Sequence, residues 1–349
     1  MVSFEDGENV YKRRRTTPAV VLTPVQRRHT SRHRKQKLMA KMSDSGFEEE
    51  LESSPTSSPV RIDVSPLRSD EPPAGELSTW YLQYGDIGYM IQRAREEKFH
   101  PCKSLARQPQ LTAEARCKLV SWLIPVHKHF RLSFECCCLS VNIMDRFLAS
   151  TPVAADCFQL LGVTALLLAS KQVEMGSPRI CHLLSFCCDA FTKEQLCNLE
   201  CLILLRLNFC LSAPTLAFFL DYFTNCIDAA QLSSAGGDKF ARTTQDTKIL
   251  RQCSNLAQKV CELSLADYAF NNYPPSLTAC CALSLASELL KTEQGHVVHA
   301  NMQSQEDQWG SIMDELCTQS TTAKHNLVQE CKDNLRLLVS LNQEALDVM

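Results

Sequence analysis

The stretch at residues 160–170, which reads LLGVTALLLAS, is the most apolar in the chain, and a single charged residue, Lys171, follows it directly. Its length and composition predict a buried helix. A second single charge, Glu200, interrupts another apolar helical pattern at residues 196–207. Because burying an unpaired charge is costly, such groups are usually paired or presented to a partner. Two interpretations follow: an internal salt bridge, or a docking point for another protein.

The composition indicates a globular chain with a sizeable core. It has 349 residues, enough for about two domains, and 45% of them are hydrophobic. The net charge of −3 carries no overall nucleic-acid signature. No apolar run reaches the ~18 residues that a membrane span needs. We therefore expect neither a membrane segment nor direct nucleic-acid binding.

The 19 cysteines predict buried thiols rather than a disulfide scaffold or a metal site. Several stand in adjacent runs inside helical patterns, as at residues 136–138, and no CxxC pair occurs. Cys197 and Cys201 share a helix face, but no second pair of ligands is apparent. We expect reduced thiols in an intracellular protein, with no metal bound.

Residues 1–76 predict a disordered regulatory tail, because they are rich in Ser, Pro, Thr and charge and poor in periodic hydrophobic residues. Basic clusters at residues 12–15 and 27–41 are typical either of nuclear-import signals or of a solvated basic tail. Ser58 and Ser65 each begin an S-P-x-Arg motif and are candidates for phosphorylation by proline-directed kinases. We expect the protein in both nucleus and cytoplasm.

The rest of the chain predicts an all-α fold, with no convincing strand pattern. An N-terminal helix at residues 77–98 carries aromatic and aliphatic residues along one side. Two sets of five helices follow, at residues 112–130, 133–148, 156–173, 180–188 and 192–207, then at 214–226, 247–268, 276–290, 306–317 and 321–342. The predicted domains are therefore a tail at 1–76, a helix at 77–98, and two helical domains at 99–212 and 213–345.

The two helical sets look like weak repeats of each other. Residues 166–170 read LLLAS, and residues 283–287 read LSLAS. Lys171 follows the first copy, whereas Glu288 follows the second. Because only the first copy carries a basic residue there, we expect the two halves to differ in function.

The sequence contains none of the common catalytic or phosphate-binding motifs. GxxxxGK[ST], GxGxxG, HExxH and GxSxG are all absent. His127 and His129 are two residues apart on a predicted helix and so point to different faces, where solvated side chains are expected. We expect no catalytic residues, no cofactor and no enzymatic activity.

Several motifs, in order along the chain, resemble the cyclin family. They are RCKLVSWL at residues 116–123, NIMDRFL at 142–148, LLASK at 167–171, NLE at 198–200, LNF at 207–209 and APT at 213–215. The resemblance extends from about Leu77 to Asn342. It implies two tandem five-helix cyclin boxes, preceded by an N-terminal helix and the disordered tail.

The resemblance also implies a partner and roles for individual residues. The partner is a cyclin-dependent kinase, bound as a heterodimer and activated by the cyclin. Arg116 and Asp145 resemble the buried ion pair that ties the first two helices of the first box together. The implied kinase-binding residues are Lys171, Glu174, Glu200 and Phe209.

A docking patch for Arg-x-Leu substrate motifs is eroded relative to the family pattern. Leu119, Trp122 and Gln159 match that pattern. Other positions depart from it, namely Ala115, Lys118, Pro125 and Ala155. Pro125 is also expected to kink its helix.

Some stretches resemble one cyclin in particular, among them residues 106–110 and 262–270. That resemblance implies a role in multiciliated cell differentiation and centriole amplification. The alternative is a cyclin-fold scaffold or transcription-type adaptor that activates no kinase.

Overall fold

The computed structural model describes residues 77–101, 103–234, 244–294 and 322–343. The predicted tail at 1–76, with Ser58 and Ser65, and the predicted helix at 306–317 lie outside these residues.

The described residues form helices and connecting loops, with no strand among them, so the all-α prediction is confirmed. The helices are α1 (Thr79–Phe99), α2 (Ala113–His129), α3 (Phe134–Ser150), α4 (Phe158–Val173), α5 (Ile180–Ser185), α6 (Lys193–Arg206), α7 (Leu216–Ser234), α8 (Thr244–Ala266), α9 (Pro275–Gln294) and α10 (Thr322–Leu341). Short 3₁₀ turns occupy Ala155–Cys157 and Tyr268–Asn272.

Helix α4 is the centre of the first box, which α2 to α6 build. Nearly all of its residues before Lys171 are buried, against α2, α3 and α6 among others. The hydroxyl of Thr164 donates to the backbone carbonyl of Leu160 at 2.7 Å, which satisfies a polar group inside the core. The apolar stretch at 160–170 is therefore a buried core helix, and Lys171 is the point where it reaches the surface.

Side-chain caps start three of the five helices of the first box, namely α2, α3 and α6. Thr112 Oγ1 accepts a hydrogen bond from the backbone N–H of Ala115, which begins α2. Thr192 and Gln195 form a reciprocal capping box at the start of α6, in the T-x-x-Q spacing typical of this motif. Helix α2, in which Pro125 was expected to produce a kink, runs without interruption from Ala113 to His129.

Helix α9 is the centre of the second box and packs against α7, α8 and α10. Cys280 and Cys281 are fully buried in it, and Cys261 on α8 is equally buried. A hydrogen bond with the neighbouring thiol of Cys331, together with burial, raises the pKa of Cys281. All cysteines in the described part of the chain are free, and many are core thiols as predicted, but Cys181, Cys188, Cys201 and Cys210 are exposed.

Helix α1 is anchored on the second box. Its first turn is held by the indole of Trp80, which donates to Asp221 at 2.7 Å. Near its end, the buried carboxylate of Glu96 accepts hydrogen bonds from the backbone N–H and the hydroxyl of Ser276, at 2.7 and 2.9 Å. Glu96 thereby satisfies an otherwise unpaired donor at the start of α9. The N-terminal helix is thus fixed at both ends.

Candidate functional site

Arg116 and Asp145 form a buried bidentate ion pair between α2 and α3. Arg116 donates from Nε to Asp145 Oδ1 at 2.9 Å and from Nη2 to Oδ2 at 2.7 Å. Neither side chain is more than 1% exposed. A pair so completely enclosed has no access to a partner protein, so its role lies within the fold.

The same pair reaches across to the second box. Arg116 Nη1 donates to the backbone carbonyls of Leu265 and Ala266, at 3.0 and 3.2 Å. The side-chain amide of Asn271 donates to Asp145 at 3.0 Å. These contacts sit at the end of α8 and in the turn after it, so one ion pair joins two helices of the first box to the second box.

Lys171 and Glu200 bond each other at the surface of the first box. Lys171 Nζ lies 2.8 Å from Glu200 Oε1, which joins the end of α4 to the middle of α6. The lysine side chain is 46% exposed and the glutamate 14%. The pair is therefore an internal salt bridge whose lysine still faces solvent, where a partner could reach it.

Exposed apolar side chains also occur on α6 and just after it. Leu202 and Leu205 are three residues apart on α6, which places them along one face of that helix. Phe209 follows in the turn after the helix ends at Arg206. All three are exposed, Leu205 at 64% and Phe209 at 66%. Large apolar side chains grouped in this way mark a surface for another protein more often than scattered ones do.

The backbone that presents Phe209 is strained. Asn208 and Phe209 have φ values of 51° and 56°, in the left-handed region that bulky residues rarely adopt. The N–H of Phe209 donates to the carbonyl of Leu204 at 2.8 Å, which holds this geometry at the end of α6. Backbone strain at an exposed aromatic residue indicates that the position of its side chain serves a function.

The carboxylate of Glu174 is bound to another helix and does not form part of the exposed surface around Lys171. Its carboxylate accepts hydrogen bonds from the backbone N–H and the hydroxyl of Ser133, at 2.8 and 2.7 Å. Ser133 is the N-cap of α3, where its own hydroxyl accepts from Cys136 N–H. Glu174 is therefore engaged in closing the start of α3, although the family resemblance groups it with the kinase-binding residues.

Helix α1 adds a second exposed apolar strip that the sequence did not single out as a surface. Tyr84, Ile87, Met90 and Ile91 are all exposed, although the sequence placed Tyr84, Ile87 and Ile91 on one side with the packed Trp80 and Tyr81. Arg95, one turn after Ile91, donates to the backbone carbonyl of Ser212 at 2.7 Å, which ties the end of α1 to the segment that follows Phe209. The only signal available in the sequence was apolar spacing.

The three residues that match the substrate-docking patch are not equally accessible. Leu119 is buried and packs against Gly162 on α4, whereas Trp122 and Gln159 are half-buried. Beside them, Lys118 bonds Glu114 at 2.6 Å and both side chains are about three-quarters exposed. An ion pair thus occupies a position where the family pattern has an aliphatic residue.

The second box carries a reversed counterpart of the surface pair. Glu288 follows the LSLAS repeat on α9 and lies 2.8 Å from Arg336 on α10. Both side chains are about as exposed as Lys171. In the first box the cation stands on the central helix, and in the second box the anion does.

His127 corrects one expectation from the sequence. Its side chain is buried rather than solvated, and its Nδ1 has no hydrogen-bond partner among the described residues. Burial lowers the pKa of His127, partly opposed by the nearby carboxylate of Glu262.

Within the described ranges, no group of three His, Cys, Asp or Glu side chains is placed to hold a metal ion. None of the helices there is long and apolar enough to cross a membrane.

Comparison with known proteins identifies both helical boxes. Residues 86–212 match the N-terminal domain of cyclins, and residues 214–336 match the C-terminal domain. The chain is 45% identical to Cyclin-O protein B of Xenopus laevis over 90% of this chain and 79% of that protein. It is 47% identical to Cyclin-O of Homo sapiens over 77% of this chain and 75% of that protein.

A solved structure shows the same fold. The viral cyclin from herpesvirus saimiri superposes with a TM-score of 0.50 at 19% identity, covering 75% of this chain and 99% of that one. The predicted architecture of two tandem cyclin boxes is therefore confirmed, and the chain belongs to the cyclin family.

Proposed function

We propose that the chain is a non-catalytic regulatory subunit that binds and activates a cyclin-dependent Ser/Thr kinase. The observation that carries the proposal is the Lys171–Glu200 pair, whose lysine faces solvent, together with the exposed side chain of Phe209. A cation and a carboxylate can bind backbone groups of a partner helix, while the apolar side chains supply buried area. The strip on α1 adds further exposed apolar side chains, and Arg95 ties this helix to the segment after Phe209.

Activation requires no chemistry from the chain itself. A kinase transfers phosphate only when its own Lys–Glu ion pair and its metal-binding Asp are in place. A partner that binds this arrangement more tightly than the inactive one shifts the kinase toward it. The buried Arg116–Asp145 pair supports this role indirectly, because it holds the first box in a fixed relation to the second.

We further propose a role like that of cyclin-O, in multiciliated cell differentiation and centriole amplification, in the nucleus and cytoplasm. Similarity to Cyclin-O proteins of frog and human over most of the chain supports it. The basic clusters in the tail, at residues 12–15 and 27–41, support access to the nucleus.

Co-purification with a panel of cyclin-dependent kinases tests the proposal. The unmodified chain should retain at least one kinase, and Lys171→Ala/Glu200→Ala should lose it. Glu288→Ala/Arg336→Ala is the matched control, because it removes from the second box a pair of the same length whose cation is equally exposed.

If the unmodified chain retains no kinase, the proposed function is wrong. If the Lys171→Ala/Glu200→Ala variant retains as much kinase as the control, the function stands but the proposed surface is wrong.

A further inference from the structure

The described part of the chain contains two Ser/Thr-Pro dipeptides, Ser177-Pro178 and Thr151-Pro152. A serine or threonine followed by proline is the minimal target of proline-directed kinases. The residue before proline favours an extended backbone, and the proline lacks an N–H that would otherwise need a partner. By local sequence alone, both dipeptides could therefore be phosphorylated. Only their structural surroundings can distinguish them.

Hydrogen bonds fix Thr151 through its N–H, its carbonyl and its hydroxyl. Its N–H donates to the carbonyl of Phe147 at 2.9 Å, because it ends helix α3. Its carbonyl accepts from the side chain of Gln108 at 2.7 Å, and the same side chain binds the N–H of Val153 at 2.9 Å. Its hydroxyl lies 3.3 Å from Ser150 Oγ. An enzyme could not take up this segment without first breaking these bonds.

Ser177 stands in the opposite situation, in the connection between α4 and α5. Ser177 is exposed, Met175 is fully exposed, and a side-chain carbon added at Gly176 would meet no atom within 4 Å. Within the described residues, no hydrogen bond holds the backbone from Met175 to Pro178. The connection is anchored only at its ends, by Glu174 on Ser133 and by the start of α5. It can therefore enter an active site while the helices stay folded.

We propose that Ser177 is a phosphorylation site for a proline-directed Ser/Thr kinase. The Oγ of Ser177 attacks the γ-phosphorus of ATP, the bond to the β-phosphate oxygen breaks, ADP leaves, and the hydroxyl proton is released. The product carries about −1.5 to −2 charges at neutral pH. Arg179 stands two residues further on and faces solvent, so a cation is near the new anion.

Phosphorylation also regulates the proposed kinase-binding surface, a consequence that rests on the proposed function. Ser177 lies in the connection that begins just after Lys171 and the end of α4. The side chains of Val173, at the end of α4, and Met175, in the connection, are exposed. A phosphate there competes for Lys171 and must lose water when a partner covers the apolar side chains. We therefore expect it to weaken kinase binding.

The modification is tested with the purified full chain, ATP and a mitogen-activated protein kinase, with mass spectrometry to locate the phosphate. Synthetic peptides covering residues 147–156 and 173–182 report what the local sequences permit. Both peptides should be phosphorylated, whereas the folded chain should be phosphorylated at Ser177 and not at Thr151. Pro178→Ala, which keeps the serine, should abolish the phosphorylation of Ser177.

Three results would overturn the assignment. They are an unmodified Ser177 in the folded chain under conditions that modify the 173–182 peptide, equal modification of Thr151 and Ser177 in the folded chain, and full modification of the Pro178→Ala variant. None of these measurements depends on whether the chain binds a cyclin-dependent kinase.

The regulatory consequence is tested by measuring the affinity of the phosphorylated chain for a cyclin-dependent kinase before and after phosphatase treatment, with Ser177→Ala carried through the same steps. Phosphate should weaken binding by about fivefold or more, within the usual range of coupling between sites. Equal affinities would overturn only the regulatory part. Absence of binding by the unphosphorylated chain would overturn that part together with the proposed function, while the site assignment would be decided separately by mass spectrometry.

Discussion

Replacing Asp145 with leucine should strongly destabilise the fold, because it removes one partner of a completely buried ion pair. The change leaves the guanidinium of Arg116, which is 0% exposed, without its carboxylate. Arg116 loses two charge-assisted hydrogen bonds of 2.9 and 2.7 Å, each contributing about 1.5–3 kcal/mol. It keeps its bonds to the carbonyls of Leu265 and Ala266. The expected loss is therefore about 3–5 kcal/mol in the free energy of unfolding.

Urea unfolding of the full chain, followed by circular dichroism, measures this loss as a shift of the midpoint. The double variant Arg116→Met/Asp145→Leu should be more stable than Asp145→Leu alone, because it leaves no unpaired buried charge. Glu114→Ala, which breaks the exposed pair with Lys118, should leave the midpoint unchanged.

Two results would refute the reasoning about the buried pair. One is a loss below about 1 kcal/mol for Asp145→Leu, which is the size expected of a surface pair. The other is a double variant whose loss equals the sum of the two single losses, since that would mean that Arg116 and Asp145 do not act together.

Three further predictions concern residues around the site. Glu174→Ala should lower the free energy of unfolding by about 1 kcal/mol, because Ser133 loses a capping partner; unchanged stability would contradict the bonds seen there. Phe209→Gly should keep or slightly raise stability in the same urea titration, because glycine accepts a φ of 56° without strain, yet it should weaken kinase capture. Unfolding titrations at several pH values should show stability falling from pH 7 toward pH 5 more steeply in the unmodified chain than in His127→Gln. Burial lowers the pKa of His127, so the unfolded chain takes up the proton first and unfolding becomes easier as the pH falls; parallel curves would mean that His127 does not titrate differently on folding.

Local sequence was sufficient where local interactions set the structure. The LLGVTALLLAS stretch predicts a buried helix because its apolar residues cover every face of α4. The capping box of Thr192 and Gln195 depends on atoms three residues apart. The Arg116–Asp145 pair, 29 residues apart, is not local; the resemblance of its motifs to the cyclin family implied it, and the structure places the two side chains in contact.

Contacts between distant segments that no family motif indicates could not be predicted from the sequence. The carbonyls of Leu265 and Ala266 carry no side-chain signal, so nothing in the sequence shows that they accept from Arg116. Glu174 is close to Lys171 in sequence, but the approach of Ser133 from another segment gives it a different contact. The spacing of His127 from His129 indicates only that they differ in face, whereas the burial of His127 depends on packing between helices.

The most direct test of the account is the activity of a purified, monomeric cyclin-dependent kinase on histone, measured with and without this chain. The kinase is chosen as one that the chain retains on co-purification. The unmodified chain and Glu288→Ala/Arg336→Ala should raise the phosphorylation rate by about tenfold or more, which corresponds to ~1.4 kcal/mol of preference for the active state. Lys171→Ala/Glu200→Ala should give no stimulation. A kinase that binds the unmodified chain without any rise in rate would contradict the account and favour a scaffold that activates no kinase.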